Sequence, residues 1–557
     1  MRTQKKVGSV GPPTTSKNQE QSGSPPNLTG SWDGETMICV PDEMERVLEP
    51  KLIDAARAAF PSAGERVVLG AITHEGAIHA EPLATLPASM LNRHGLIAGA
   101  TGTGKTKTLQ LIAEQLSSLG VPVFLADVKG DLSGVGSAGA AHPRIDERAQ
   151  HTGYDWSPSA FPVEFLSLTG KLGAQLRATV SSFGPLLLSK VLGLNDTQTS
   201  VLTLVFRYCD DHGLLLLDFS DLRAVLQYLT TDGADALSAY GGISKQSVSV
   251  ILRKIVELEA QGAENFFGEP EFDLDDFFQI ERDGRGLVTV LELRDVQDKP
   301  ALFSTFLLWM LAQLYNDLPE VGDLDKPKLV FFFDEAHLLF EGASKALRDQ
   351  VEQVVRLIRS KGVGVFFITQ NPRDIPADIL SQLGNRVQHA LRAFTPDDEK
   401  ALRAAARTFP KTDWYDVPQT LQSLGIGEAL VTTLTSKGTP SPTFAVHLVP
   451  PRSLMGPMPD DEFTRRTNNS AQVRKYATPL DRESAREMLA AKAQQAAAQR
   501  AELERQAPVG YTPQRRSSRT REPDSALEVI VKSPMARTVA GAITRGLMGA
   551  LLGKRKR

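Results

Sequence analysis

The stretch "HGLIAGATGTGKTKTLQLIAEQL" (residues 94–116) constrains this chain more than any other. A short apolar run enters a glycine-rich loop and leaves it as a helix. Gly99, Ala100, Thr101, Gly102, Thr103, Gly104, Lys105 and Thr106 spell G-x-x-x-x-G-K-[ST]. Glycines at these positions let backbone N–H groups turn inward toward phosphate oxygens. The helix that follows presents the positive end of its dipole to the same anion. Lys105 then has the reach for β- and γ-phosphates, and the Thr106 hydroxyl is placed to ligate Mg²⁺. A chance glycine loop would lack the strand before it and the helix after it.

The rest of the chain supplies strands and helices in alternation. "VPVFLADVKGD" (121–131), "GLVTVLEL" (286–293), "KLVFFFDEAH" (328–337) and "GVGVFFITQNP" (362–372) are nearly continuous apolar runs with polar ends. Such runs suit parallel strands covered by helices on both faces. The expected class is α/β, with a mostly parallel sheet. Residues 1–40 read as disordered, being rich in Pro, Gly, Ser, Thr and Asn. Residues 41–90 read as a small mixed region, and 91–170 as the first half of the core. Residues 171–285 show helical apolar spacing broken by Gly, Asn and Asp, an insertion of about four helices. Residues 286–452 complete the core, with a late hairpin in "GEALVTTL" and "PTFAVHLV". Residues 453–557 read as a flexible, low-order tail with possible helices.

Two acids, Asp334 and Glu335, follow the buried run "LVFFF". Strand C-terminal ends are where a doubly wound sheet puts its ligand. Asp334 suits Mg²⁺, and Glu335 suits a base that polarises water for in-line attack on a γ-phosphate. Two solvated acids at a helix start would be spelled alike, but a phosphate loop upstream favours the chemical reading. Gln370, ending "FFITQ", is placed to sense the γ-phosphate or position the water. No N-K-x-D segment for guanine was found, so ATP is the expected nucleotide.

Together "GATGTGKT", "ADVKGDLSG", "FFFDEAHLLF", "FFITQNPRDIP" and "LGNRVQHALRAFTPDD" resemble the HerA–FtsK superfamily of P-loop translocases, in its HerA-like subgroup. The resemblance covers roughly residues 85–450. It implies a RecA-like ATPase core, a homo-hexameric ring, ATP and Mg²⁺, and double-stranded DNA passed through the pore. It also implies an arginine reaching the neighbouring subunit's nucleotide, at Arg93, and another acting in its own subunit, at Arg359. Asp127 matches a family acid near the nucleotide, with Lys129 and Asp131 beside it. HerA itself carries a small β-barrel before its core. The roughly 50 plausibly ordered residues here look mixed instead, and the helical insertion is large.

Composition narrows the partners. Hydrophobic residues make up 41% and charged residues 23%, with a net charge of −4. A generally basic surface is excluded, but a pore needs only a few inward cations. Candidate DNA contacts are Arg253 and Lys254, the "RSK" at 359–361 and the "RAAAR" at 403–407, while the final "GKRKR" suits DNA or an acidic membrane surface. The two cysteines, Cys39 and Cys209, give no metal-ligand spacing, so no metal cluster is expected. No apolar run reaches the roughly 18 residues of a membrane span, and the first residues lack a signal-peptide core. The cytoplasm is the expected compartment. Three readings stand: a helicase or translocase on DNA, a regulatory or scaffold ATPase that does not move DNA, and a peptide or protein pump.

Overall fold

The computed structural model describes residues 43–235, 241–340, 345–480 and 482–506. The disordered segment expected at 1–40 and about half of the tail lie outside these. Twelve strands form one sheet: β1 Arg66–His74, β2 Ala77–Pro87, β3 Gly95–Ala98, β4 Val123–Asp127, β5 Val163–Ser167, β6 Ala174–Gln175, β7 Val288–Glu292, β8 Leu329–Phe333, β9 Val363–Thr369, β10 Asn385–His389, β11 Glu428–Thr432 and β12 Phe444–Leu448. Their order across the sheet is β2-β1-β12-β11-β10-β3-β9-β8-β4-β7-β5-β6.

The sheet has two kinds of pairing. From β10 to β6 every neighbour is parallel. From β10 back to β2 every neighbour is antiparallel. The parallel strands β3, β4, β7, β8 and β9 are buried at every position, which is why they read as unbroken apolar runs. Phe331 and Phe333 stack on one face of β8, against Phe124 of β4. Phe332 stacks on Phe366 across the other face. The fold is a P-loop α/β core with a large, mostly parallel sheet.

Three regions differ from their sequence reading. β1 and β2, in the region read as small and mixed, are outer strands of the main sheet. The stretch 171–285 does hold four long helices, Val180–Val191, Asp196–His212, Phe219–Thr230 and Lys245–Ala260. It also holds β6, whose two residues are too few to show a period. Beyond 452 the chain stays packed: helices Asp460–Asn469 and Ala471–Tyr476 set Phe463 against Phe165 and Tyr476 against Phe272. The chain divides at Arg486 into a large compact unit and a second one, whose described residues belong to the helix Ala485–Gln506. No helix among the described residues is long and apolar enough to cross a membrane.

Candidate active site

The site lies along the C-terminal ends of β3, β9, β8 and β4, which are neighbours in that order. Register brings Ala98 level with Thr369, Phe333 with Phe367, and Ala126 with Phe333. The residues that follow these strand ends are the phosphate loop, Gln370, the pair Asp334–Glu335 and the loop after Asp127. Positions far apart in sequence therefore share one edge.

The loop is built as an anion cradle. Gly99 and Gly104 hold φ of 153° and 114°, conformations that disfavour a side chain. A Cβ on Gly99 would come 2.5 Å from His389 Cβ. The helix Lys105–Ser118 starts at Gly104 with no side-chain cap, leaving its first N–H groups for a ligand. Lys105 is buried and folded back, donating to the carbonyls of Gly99 at 2.8 Å and Ala100 at 3.2 Å. Burial lowers its affinity for a proton, and the nearby Glu335 carboxylate partly restores it. Thr103 donates to Ala100 O at 2.7 Å, and Thr101 Oγ1 to Gln370 Oε1 at 3.4 Å. Gln370 is exposed, facing the loop it bonds. Thr106 is half-buried in the first helical turn.

The acids have distinct environments. Asp334 Oδ1 accepts the Glu335 amide at 3.0 Å, while Oδ2 is buried without a hydrogen-bond partner. Burial, then the adjacent Glu335 charge, pushes the Asp334 carboxyl up to about 7. An unpartnered buried oxygen beside a phosphate loop fits a divalent cation, which Asp334 and Thr106 would hold together with phosphate oxygens. Among the described residues no cluster of three or more His, Cys, Asp or Glu converges as a metal site of its own.

Glu335 sits at φ 47°, a left-handed conformation costly for a non-glycine residue. Its Oε1 pairs with Lys129 Nζ, and its Oε2 lies 3.3 Å from His337 Nδ1. Burial raises its proton affinity, but the Lys129 bond and charge outweigh it and hold the carboxyl below its usual range. Asp127 has both oxygens occupied by its own loop: Oδ1 by the amides of Lys129 and Gly130 at 3.1 and 2.7 Å, Oδ2 by that of Leu132 at 2.7 Å. It shapes the segment that presents Lys129.

Arg93 and Arg359 lie elsewhere. Arg93 precedes β3 and Arg359 precedes β9, so both stand at the opposite edge of the sheet. Arg93 Nη2 is 3.6 Å from Asp323 Oδ1. Burial, then the neighbouring Arg93 charge, depresses the Arg359 guanidinium, against the pull of Asp323. The β9 strand alone separates Arg359 from the phosphate loop by roughly 20 Å at the usual strand rise. Its seven-residue strand sets Arg359 at the far edge from its own subunit's phosphate loop.

Residues that sequence reading passed over complete the site. His389 ends β10, bonds Thr108 at 2.9 Å through Nε2, and is kept neutral by burial, its pKa lowered to about 3. Arg148 donates to the carbonyls of Gly427, Leu448 and Ile426 at 2.9, 3.0 and 3.0 Å. That brace closes one wall of a mainly apolar cavity of about 330 Å³ beside Gly104, Lys107 and Thr108, whose lining includes Ile426, Pro450 and Met455. Only "HALRAF", following a strand, hinted at His389. Nothing local marks Arg148, whose partners lie some 280 or more positions away.

The sequence model of the helicase HerA-like C-terminal family matches residues 75–557. This chain belongs to that family. The DNA double-strand break repair helicase HerA of Saccharolobus solfataricus is 23% identical over 346 residues, 61% of each chain. A probable helicase of Methanocaldococcus jannaschii is 29% identical over 177 residues, 30% of this chain and 31% of that one. The chain thus spans less than two thirds of these relatives' length. Among solved structures, the plasmid coupling protein TrwB with a non-hydrolysable ATP analogue aligns over 73% of this chain and 94% of that one, at 14% identity and a TM-score of 0.47.

Proposed function

We propose that this HerA-like chain hydrolyses ATP with Mg²⁺ and uses the energy to move double-stranded DNA through a homo-hexameric ring in the cytoplasm. The observation that carries the reading is the separation of Lys105, Glu335 and Gln370 on one sheet edge from Arg93 and Arg359 on the other. In this reading the arginine that stabilises the transferring phosphoryl group comes from a second subunit. A ring in which each subunit offers one edge to the next supplies it. DNA as the polymer rests on family membership and on the HerA relative's described role in DNA repair.

Within one subunit, Gly99 to Thr106 and Asp127's loop hold the phosphates and their surroundings. Lys105 leaves the loop carbonyls for the β- and γ-phosphates. The apolar cavity beside Gly104 receives the adenine. Thr106 and Asp334 would hold Mg²⁺, which when bound would neutralise charge on the phosphate oxygens. Glu335 accepts a proton from the attacking water, and Gln370 orients that water.

Of the candidate DNA contacts, Lys254 and Arg403 are engaged with acids on their own helices, Glu257 at 2.6 Å and Glu399 at 2.5 Å. The final "GKRKR" lies outside the described residues. The deciding experiment measures ATP turnover with and without duplex DNA at several salt concentrations, together with particle mass. Stimulation that fades steeply with salt, on a hexamer, supports the reading. ATP-dependent assembly with turnover indifferent to DNA replaces it with a scaffold ATPase.

A further inference from the structure

Lys129 links the Asp127 loop to the buried Glu335 carboxylate. Its backbone is fixed, because the Asp127 carboxylate binds the amides of Lys129, Gly130 and Leu132. Its side chain is not: it is 47% exposed, whereas the Glu335 side chain it pairs with is 6% exposed. The ammonium thus approaches the buried carboxylate from the open side, where a terminal phosphate would lie between Lys105 and Glu335. At the same time Lys105 is folded onto the carbonyls of Gly99 and Ala100. Both lysines are held by internal oxygens.

We infer that Lys129 is a γ-phosphate sensor, whose ammonium leaves Glu335 for the terminal phosphate of a bound nucleoside triphosphate and so frees the carboxylate for water. This rests on the ATPase reading above. A terminal phosphate offers more anionic oxygens than one carboxylate, and charge-assisted bonds to it are short and strong. A diphosphate ends too early to draw the ammonium away. Lys129 remains on Glu335 when ADP is bound, and the carboxylate stays engaged. Lys129 is a positioning residue for Glu335 and a binding residue for the triphosphate.

The test titrates the full chain with magnesium AMP-PNP and magnesium ADP by calorimetry. The wild type is expected to prefer AMP-PNP. Lys129→Met should cut that preference about tenfold or more, the scale of one charged hydrogen bond, while ADP affinity holds. Lys129→Arg should restore it, which a merely structural role would not require. Glu335→Gln, by releasing the ammonium, should tighten AMP-PNP severalfold, and Lys129→Met should abolish that gain in the double variant. An unchanged preference in Lys129→Met, or a Glu335→Gln gain that survives in the double variant, overturns the inference. If the wild type binds neither nucleotide, or Glu335→Gln hydrolyses ATP at the native rate, the ATPase reading itself falls, and this inference with it. If those controls behave and only the Lys129 variants fail, the ATPase reading stands alone.

Discussion

The two edges of the parallel sheet are built differently. At the C-terminal edge, side chains from the ends of β10, β3, β9, β8 and β4 converge, and several are tied to one another: Thr101 to Gln370, Lys129 to Glu335, Thr108 to His389. At the N-terminal edge two arginines stand near one another, with the exposed Asp323 as counterion 3.6 Å from Arg93. The first edge is organised to hold an anion within one chain. The second has concentrated positive charge with little anion to match it. The contrast agrees with the proposed reading, in which the arginine edge of one subunit completes the loop edge of the next.

The largest expected effect tests the first edge. Glu335→Gln should lower ATP turnover about a hundredfold or more while retaining nucleotide binding, measured by steady-state hydrolysis beside calorimetry. Retained turnover would move the base elsewhere. Next comes the division between edges. Arg93→Ala and Lys105→Ala should each be nearly inactive alone, the first by about 10³. Mixed and co-assembled, they should regain part of the activity, because some interfaces then pair an intact loop with an intact arginine. No recovery on mixing would place the arginine's action within its own chain.

A smaller effect concerns the metal. Asp334→Asn should raise the Mg²⁺ concentration needed for half-maximal turnover by about tenfold or more, read from metal titrations. An unchanged requirement would remove Asp334 from the metal's shell. The smallest effect is on stability. Glu292 ends β7 fully buried, with Arg294 Nε 3.1 Å from its Oε2, and burial followed by the nearby Asp127 charge raises it to about 8 against the pull of Arg294. The unfolded chain loses this proton near pH 4.5, the folded one near 8. Ionisation thus favours the unfolded state increasingly as pH climbs between those values. Glu292→Gln should therefore gain stability relative to wild type from pH 5 to pH 8, by a few kcal/mol at most. Parallel urea-denaturation midpoints across that range would contradict it.

Much of the loop edge was legible in the sequence because its signals are local. "GATGTGKT" sits in one turn, and "LVFFF" announces a strand buried on both faces before Asp334. What stayed hidden depends on distant pairing. Arg359 looks close to Gln370 in sequence, yet the intervening strand carries the two to opposite edges. His389 and Arg148 are ordinary in their own segments and acquire meaning only through Thr108 and the carbonyls around Gly427. The segment after 452 reads as polar and irregular because its order comes from contacts such as Phe463 on Phe165, not from a period of its own.

The helix that follows the phosphate loop carries one such contact with a wider consequence. Gln110 donates to Leu454 O at 2.8 Å and Ser453 Oγ at 2.7 Å. Glu114 accepts the amides of Arg452 and Ser453 at 2.7 and 3.1 Å, and the Ser453 hydroxyl at 2.9 Å. A chain cut short at residue 450 would leave an amide and a carboxylate stranded in the interior, against the helix that has to grip phosphate. The natural stopping point for a minimal ATPase therefore falls well past the last strand, and a boundary drawn at the sheet's end would sever the fastening of its own catalytic helix.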